Sequence, residues 1–152
     1  MPTILLPVPH HRQIGPHNCL PACARMVLGY LGQQIDEAEL ARRLDTTPWG
    51  TPGQRLLRLA RPALRVFFGP LTLPLIYDRL DAGTPVIALV RTLFLQYWQA
   101  DLAHAVVVIG YDDQSVLLDD PAFGDAPQHA TPTSFLAAWG EFDYLCGTIT
   151  HR

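Results

Sequence analysis

The pattern of apolar and polar residues changes its period about half-way along the chain. In the first half, apolar side chains recur at the spacing of amphipathic helices. Helices are predicted over residues 20–31, 36–44, 54–60, 73–83 and, near the end of the chain, 132–139. Helical segments therefore dominate the part of the chain that comes before residue 85.

Short continuous apolar runs, rich in β-branched residues, replace that pattern in the second half. Such runs are typical of strands that are buried on both faces. Strands are predicted over residues 64–68, 85–90, 104–111, 115–120 and 144–150. The short polar segment at 112–114 predicts a tight turn, so that 104–111 and 115–120 pair as a hairpin. Helices followed by an antiparallel sheet predict an α+β fold.

Capping residues set the ends of the first two helices. Asn18 stands at the N-cap position of the first helix, and Pro21 occupies its first turn, where a missing N–H costs little. Gly32 is placed to end that helix. Asp36 is predicted to cap the second helix, with Glu39 at the capping-box position.

Composition limits the classes of protein that this chain can belong to. Its 152 residues fit a single domain spanning 1–152, and 49% apolar with 16% charged residues is a globular composition. The net charge of −3 and the lack of any Lys/Arg run argue against nucleic acid or an anionic membrane as partner. No apolar stretch reaches the ~18 residues of a membrane helix, and residues 1–12 do not resemble a signal peptide. The oligomeric state is not indicated.

Three cysteines are the main candidates for chemistry. Cys19 and Cys23 lie four residues apart, and Cys146 stands alone. Three histidines lie just upstream, at His10, His11 and His17. A zinc site would need a second ligand pair, which is missing, and two cysteines at i and i+4 on a helix fit disulfide geometry poorly. We therefore expect free thiols, no metal and a reducing, cytoplasmic location.

The predicted surroundings of Cys19 differ from those of the other two thiols. Cys23 lies on the apolar stripe of the helix and Cys146 lies in an apolar strand, so both are predicted to be core residues. Cys19 instead begins the helix, where the helix dipole and unpaired N–H groups favour a thiolate. Cys19 is therefore the candidate nucleophile.

A nucleophilic cysteine needs a base and a group that orients the base. His104 begins an apolar strand, and Asp120 ends the strand that pairs with it across the hairpin. Asp119 points to the opposite face of a regular strand, although a bulge before Pro121 would reverse the choice. Gln13 lies upstream of Cys19, beyond a Gly-Pro turn, where its amide can donate to an oxyanion alongside the Cys19 N–H.

Three segments together resemble a known enzyme family. QIGPHNCLPACARMVLGYLG, HAVVVIGY and LLDDPAF are similar to segments of the bacteriocin-processing, or double-glycine, cysteine peptidases, in their free-standing form. The resemblance covers nearly the whole chain and implies a papain-like fold. It implies Cys19 as nucleophile, His104 as general base and acid, Asp120 as the residue that orients His104, and Gln13 in the oxyanion hole. A peptide or protein substrate is implied, and no cofactor.

Two features concern substrate binding. The family usually has glycine directly after the nucleophile, whereas this chain has Leu20, which puts a Gly-Gly leader specificity in question. Trp98 is predicted either to shield the His104–Asp120 pair or to line the cleft, or else to be an ordinary packed aromatic. Two other functions stay open: an acyl- or peptidyl-transferase of the same fold, and a non-catalytic peptide-binding module. The sequence does not name the substrate or its cleavage site.

Overall fold

A seven-stranded antiparallel sheet forms the centre of the computed structural model, which describes residues 3–152. Its strands are β1 (Ile4–Leu5), β2 (Leu64–Pro70), β3 (Val86–Arg91), β4 (Ala103–Tyr111), β5 (Val116–Asp119), β6 (Gln128–Ala130) and β7 (Leu145–His151). They are ordered β2-β7-β3-β4-β5-β6, and β1 pairs with the end of β4. The helices are α1 (Cys19–Tyr30), α2 (Glu37–Arg43), α3 (Leu73–Asp81) and α4 (Pro132–Gly140), with 3₁₀ turns at Gly53–Leu59 and Thr92–Phe94.

Both faces of the sheet are covered because the central strands are apolar on both sides. Along β4, Ala105 and Val107 pack in the same core cluster as α1 and α2, whereas Val106 and Val108 pack in the cluster of α3 and α4. This alternation follows from the two-residue period of a strand. It explains why β4 has no polar residue between His104 and Gly110.

The predicted α+β fold is confirmed, with three differences in detail. The predicted third helix is a 3₁₀ helix, Gly53–Leu59. Strands β1 and β6 were not predicted, and both are too short to give a period in the sequence. Helices and strands are also less separated along the chain than expected, because β2 from the first half pairs with β7 at the sheet edge.

The start of α1 differs from the predicted cap. Asn18 occupies the N-cap position, but its side chain makes no capping hydrogen bond. Its amide Nδ2 instead donates to the carboxylate of Glu37 at 2.9 Å. In α2, Asp36 does accept from the N–H of Glu39, as predicted, at 2.8 Å. Glu39 does not complete the capping box, because its carboxylate binds Arg42 and Arg43.

The β4–β5 hairpin brings two distant parts of the sequence together. Asp112 accepts hydrogen bonds from the N–H groups of Gln114 and Ser115 and closes the turn. The register then places Val107 opposite Asp119, so that Asp120 lies just beyond the paired residues, near the start of β4. Within residues 3–152, no helix is both long and apolar enough to cross a bilayer.

Candidate active site

The thiol of Cys19 is placed differently from the other two. Cys19 is the first residue of α1 and is partly exposed, whereas Cys23 and Cys146 are completely buried, as predicted. Burial raises the pKa of Cys23 well above its usual value and that of Cys146 to about 12. The N–H of Cys19 belongs to the first turn of α1, which has no carbonyl acceptor inside the helix. The thiol of Cys19 and its own free backbone N–H therefore lie together at the start of α1.

His104 links that thiol to a carboxylate. Its Nε2 lies 2.7 Å from Oδ1 of Asp120, and His104 and Cys19 border the same two cavities. Burial lowers the pKa of His104, but the hydrogen bonds to Asp120 and Cys19 outweigh it and raise the pKa to about 9. The raised pKa favours the protonated imidazole at neutral pH, next to the Cys19 thiol.

Asp120 is held by four donors. Oδ1 accepts from His104 at 2.7 Å and from the N–H of Ala122 at 2.9 Å. Oδ2 accepts from the hydroxyl of Tyr97 at 2.8 Å and from the indole N–H of Trp98 at 2.9 Å. Burial raises the pKa of Asp120, yet the hydrogen bonds from His104, Ala122 and Trp98 and the charge of His104 leave it below the usual value. The buried carboxylate is thus kept ionised and fixed in direction.

Asp119 faces the opposite side of the sheet. It pairs with Val107, whose side chain packs against α1, and only 1% of its surface is exposed. The imidazole of His10 lies beside it, with 3.9 Å between Nδ1 and Oδ1. Its Oδ2 has no hydrogen-bond partner, and burial raises its pKa to about 6. Asp120 therefore contacts His104, and Asp119 does not.

Gln13 lies in the loop before Cys19 and lines the same cavity as that thiol. Its N–H donates to the carbonyl of Pro121 at 2.7 Å, which ties the loop to the segment that follows Asp120. Its Nε2 donates to the carbonyl of Gly15 at 2.9 Å. An amide NH₂ has two hydrogens, so one donor remains for a ligand.

Two cavities flank Cys19 and His104. One of about 380 Å³ is bordered by Gln13, Pro16, His17, Trp49, Trp98, Leu102 and Ala122. The other, of about 270 Å³, is bordered by Leu20, Trp49, Gly50, Pro52, Leu89, Ala105 and Phe142. Trp49 borders both, and 94% of its surface is exposed. An extended peptide that crosses the cleft would pass Cys19 between the two cavities.

The structure brings together all six residues that the sequence singled out. Leu20 is 2% exposed and borders the smaller cavity from the core side. Trp98 borders the larger cavity, and its ring packs edge-on against that of His104, with 5.0 Å between the ring centroids. His17, one of the three histidines upstream of Cys19, borders the cleft. Within residues 3–152, no cluster of three or more metal-ligating side chains occurs.

Three contributors were not predicted. Tyr97 donates to Asp120, Trp49 borders both cavities, and the carboxylate of Glu37 binds the loop that carries Gln13. The sequence signal for Trp49 is a tryptophan in the loop TTPWGTPG, between a proline and a glycine. Glu37 gave no signal, because an acidic residue in the first turn of a helix is ordinary.

Comparison with known proteins places this chain in a family. The model of the Peptidase_C39 like family matches residues 5–146. The chain belongs to that family. A relative from Methanothermobacter marburgensis, the uncharacterized protein MTBMA_c00490, is 33% identical over 74% of this chain and 71% of its own length. The uncharacterized protein YvpB of Bacillus subtilis is 25% identical over 81% of this chain, which spans only 65% of YvpB.

Solved structures of the C39 type share the fold. A chain from Bacillus anthracis described as a C39-like peptidase superposes with a TM-score of 0.82 at 20% identity, covering 100% of this chain and 99% of that one. The peptidase domain of Streptococcus ComA, a bi-functional ABC transporter, gives 0.77 at 19% identity over 95% and 99% of the two chains. A double-glycine-motif protease from an AMS/PCAT transporter, in complex with its leader peptide, gives 0.75 at 15% identity, with both chains covered to 100%. These matches confirm the papain-like fold.

Proposed function

We propose that this protein is a cysteine peptidase in which Cys19 is the nucleophile. The observation that carries the proposal is the His104–Asp120 pair, with 2.7 Å between Nε2 and Oδ1, beside the Cys19 thiol at the mouth of two cavities. Membership of the C39-like family supports the same conclusion. Gln13 and the N–H of Cys19 supply donors beside the thiol.

The first half of the reaction forms an acyl-enzyme. The Cys19 thiolate attacks the carbonyl carbon of the scissile peptide bond, and the negative charge moves to the carbonyl oxygen. The amide of Gln13 and the N–H of Cys19 donate to that oxygen. The C–N bond then breaks as the His104 imidazolium gives its Nδ1 proton to the leaving amine.

The second half releases the acyl group. His104, now neutral, accepts a proton from a water molecule as that water attacks the thioester carbon. The C–S bond breaks, the carboxylic acid leaves, and the thiolate–imidazolium pair is restored. Asp120 keeps the imidazole in one orientation through both halves, since its Oδ1 stays bonded to Nε2.

The proposed substrate is an extended peptide segment, such as the end of a leader. The double-glycine protease with its leader peptide supports this idea by similarity of fold. Leu20 and Leu89 give the smaller cavity an apolar wall, and its volume of about 270 Å³ has room for side chains larger than glycine. We therefore propose that residues with small to medium apolar side chains are accepted next to the scissile bond.

A transferase of the same fold is the second candidate. An amine or a thiol would then replace water in the second half-reaction, with the same residues in the same roles. No group in the two cavities selects between these acceptors. Product masses from a peptide library, measured with and without added amines, separate hydrolysis from transfer.

Selective thiol reactivity tests the proposal. We expect iodoacetamide to alkylate Cys19 at pH 6 at least 100-fold faster than Cys23 or Cys146, because those two thiols are buried and have raised pKa values. Peptide mapping by mass spectrometry measures the three rates within one sample. Alkylation of Cys19 should abolish cleavage of the peptide library. Equal rates at the three thiols would contradict the assignment.

A further inference from the structure

A buried carboxylate lies behind the cleft and has no role in the reaction as described above. Glu37 is the first residue of α2, and only 2% of its surface is exposed. Its Oε1 accepts from the N–H of Ile14 at 2.9 Å. Its Oε2 accepts from Gly15 N–H at 2.8 Å and from Asn18 Nδ2 at 2.9 Å. All these donors belong to the loop that joins Gln13 to Cys19.

The donors around Glu37 are neutral. Within residues 3–152, no arginine or histidine forms a salt bridge with this carboxylate. A buried carboxyl group needs hydrogen bonds to its oxygens, and here backbone and side-chain amides of one loop supply them. A glutamine in its place would turn an NH₂ group toward N–H donors. The site therefore requires a group that only accepts hydrogen bonds, which is a carboxylate.

The neighbouring glycine makes this contact possible. A Cβ atom on Gly15 would lie 2.5 Å from Nδ2 of Asn18, the atom that donates to Glu37. The missing side chain thus lets Asn18 turn back toward α2 instead of capping α1. Gly15 also accepts from Nε2 of Gln13, so the residue held by Glu37 in turn holds the Gln13 amide.

We propose that Glu37 is a positioning residue for the oxyanion hole. Its carboxylate fixes the loop over 13–18, so that the free hydrogen of the Gln13 amide and the N–H of Cys19 converge on one point. This inference rests on the proposed peptidase function and adds a residue that does not touch the substrate. Glu37 acts through Gln13 and the start of α1, and not through His104.

Kinetic separation of two steps tests this role. We expect Glu37→Gln to lower kcat for a peptide substrate about 10- to 100-fold with KM changed less than threefold, because the oxyanion forms only in the transition state. Alkylation of Cys19 by iodoacetamide forms no oxyanion, so its rate and its pH profile should stay within twofold of the wild type. Glu39→Gln, on the exposed side of the same helix, removes the same charge and should leave kcat unchanged.

A double-mutant cycle identifies the residue through which Glu37 acts. Adding Glu37→Gln to Gln13→Ala should lower kcat by a smaller factor than Glu37→Gln does in the wild type, since one of the two donors that Glu37 positions is already absent. Fully independent effects, or a loss of Cys19 alkylation in parallel with kcat, would overturn the inference. Wild-type kcat in Glu37→Gln would overturn it as well.

If the Glu37→Gln variant does not fold, a second variant tests the same inference. Asn18→Ala removes one of the donors to Glu37 and no capping bond, and should lower kcat severalfold with alkylation preserved. If kcat stays at the wild-type value, the inference is wrong. A wild-type protein that shows no Cys19-dependent cleavage would refute the proposed function itself, whereas an active wild type with an equally active Glu37→Gln refutes this inference alone.

Discussion

Asp119 and Asp120 are adjacent in the chain, equally buried, and surrounded in opposite ways. Asp120 accepts four hydrogen bonds, from an imidazole, a backbone N–H, an indole N–H and a phenol hydroxyl. Its pKa is lowered. Asp119 has an unpartnered oxygen and one histidine at 3.9 Å, and burial raises its pKa to about 6. The strand period places them on opposite faces, and so only one of two identical side chains becomes part of the site.

The difference teaches that burial alone does not make a carboxylate a partner in catalysis. Desolvation is the largest influence on both groups and raises the pKa of both. Donors decide the outcome, because they stabilise the charged form of Asp120 and leave that of Asp119 unsupported. Substitution of Asp120 should therefore lower activity, whereas substitution of Asp119 should mainly change the stability of the fold.

Asp120→Ala should give the largest effect. We expect kcat/KM to fall about 10²–10⁴-fold, because His104 loses the group that orients it. In the wild type, the protonated form of His104 persists until the pH rises through about 9, and activity should decline there. In the variant this basic limb should move down toward the ordinary histidine value. A pH–rate profile of both proteins measures the shift, and an unchanged limb would contradict the role given to Asp120.

Trp98→Phe and Tyr97→Phe should give intermediate effects of similar size. Each variant removes one donor to the same oxygen, Oδ2 of Asp120, and keeps an aromatic ring in place. A hydrogen bond to a charged group contributes about 1.5–3 kcal/mol, of which only part is expressed in the rate. We expect kcat/KM to fall about three- to tenfold in each, measured on one peptide. Wild-type rates in both variants would show that the donors to Oδ2 do not matter for His104.

Asp119→Asn should have the smallest effect on activity and should stabilise the fold. A carboxyl group with a raised pKa contributes stability below its ordinary pKa, near 4, and loses it as the pH rises through about 6. The neutral amide avoids that loss. We expect the free energy of unfolding at pH 7 to rise by about 1–2 kcal/mol, with no gain at pH 4 and kcat within twofold.

Chemical denaturation at both pH values measures this difference. Asp120→Asn, examined in the same way, is the matched control, because that carboxylate has a lowered pKa and should lose stability at pH 7. An Asp119→Asn variant that is less stable than the wild type at pH 7 would remove the contrast between the two carboxyl groups.

Much of the fold and the pairing of His104 with Asp120 could be predicted from the sequence. The hairpin over 104–120 has strong apolar runs on both sides of a polar turn, so the pairing of its two strands follows from the pattern. Its register does not, because it shifts at a bulge between Val108 and Gly110. The position of Cys19 at the start of α1 follows from the polar residues before it and the apolar stripe after it. These features are local, and one short-range pattern fixes each of them.

The supporting residues could not be predicted, because their roles depend on contacts across the fold. Glu37 meets Gly15 over 22 residues, and Tyr97 meets Asp120 over 23, with no pattern that links them. The turn of Asn18 away from its capping role depends on the same contact with Glu37. Short strands such as β1 and β6 form only because a longer neighbour offers an edge.

The distribution of tryptophans gives the protein its own optical reporter. Trp139 is fully buried and donates to the carbonyl of Leu145, whereas the indole of Trp49 stands in solvent at the mouth of the cleft. Emission from the two rings should therefore differ in wavelength and in its sensitivity to added quenchers. A peptide that binds in the cleft would cover Trp49, so the change in tryptophan fluorescence would report peptide binding before the peptide bond is cleaved.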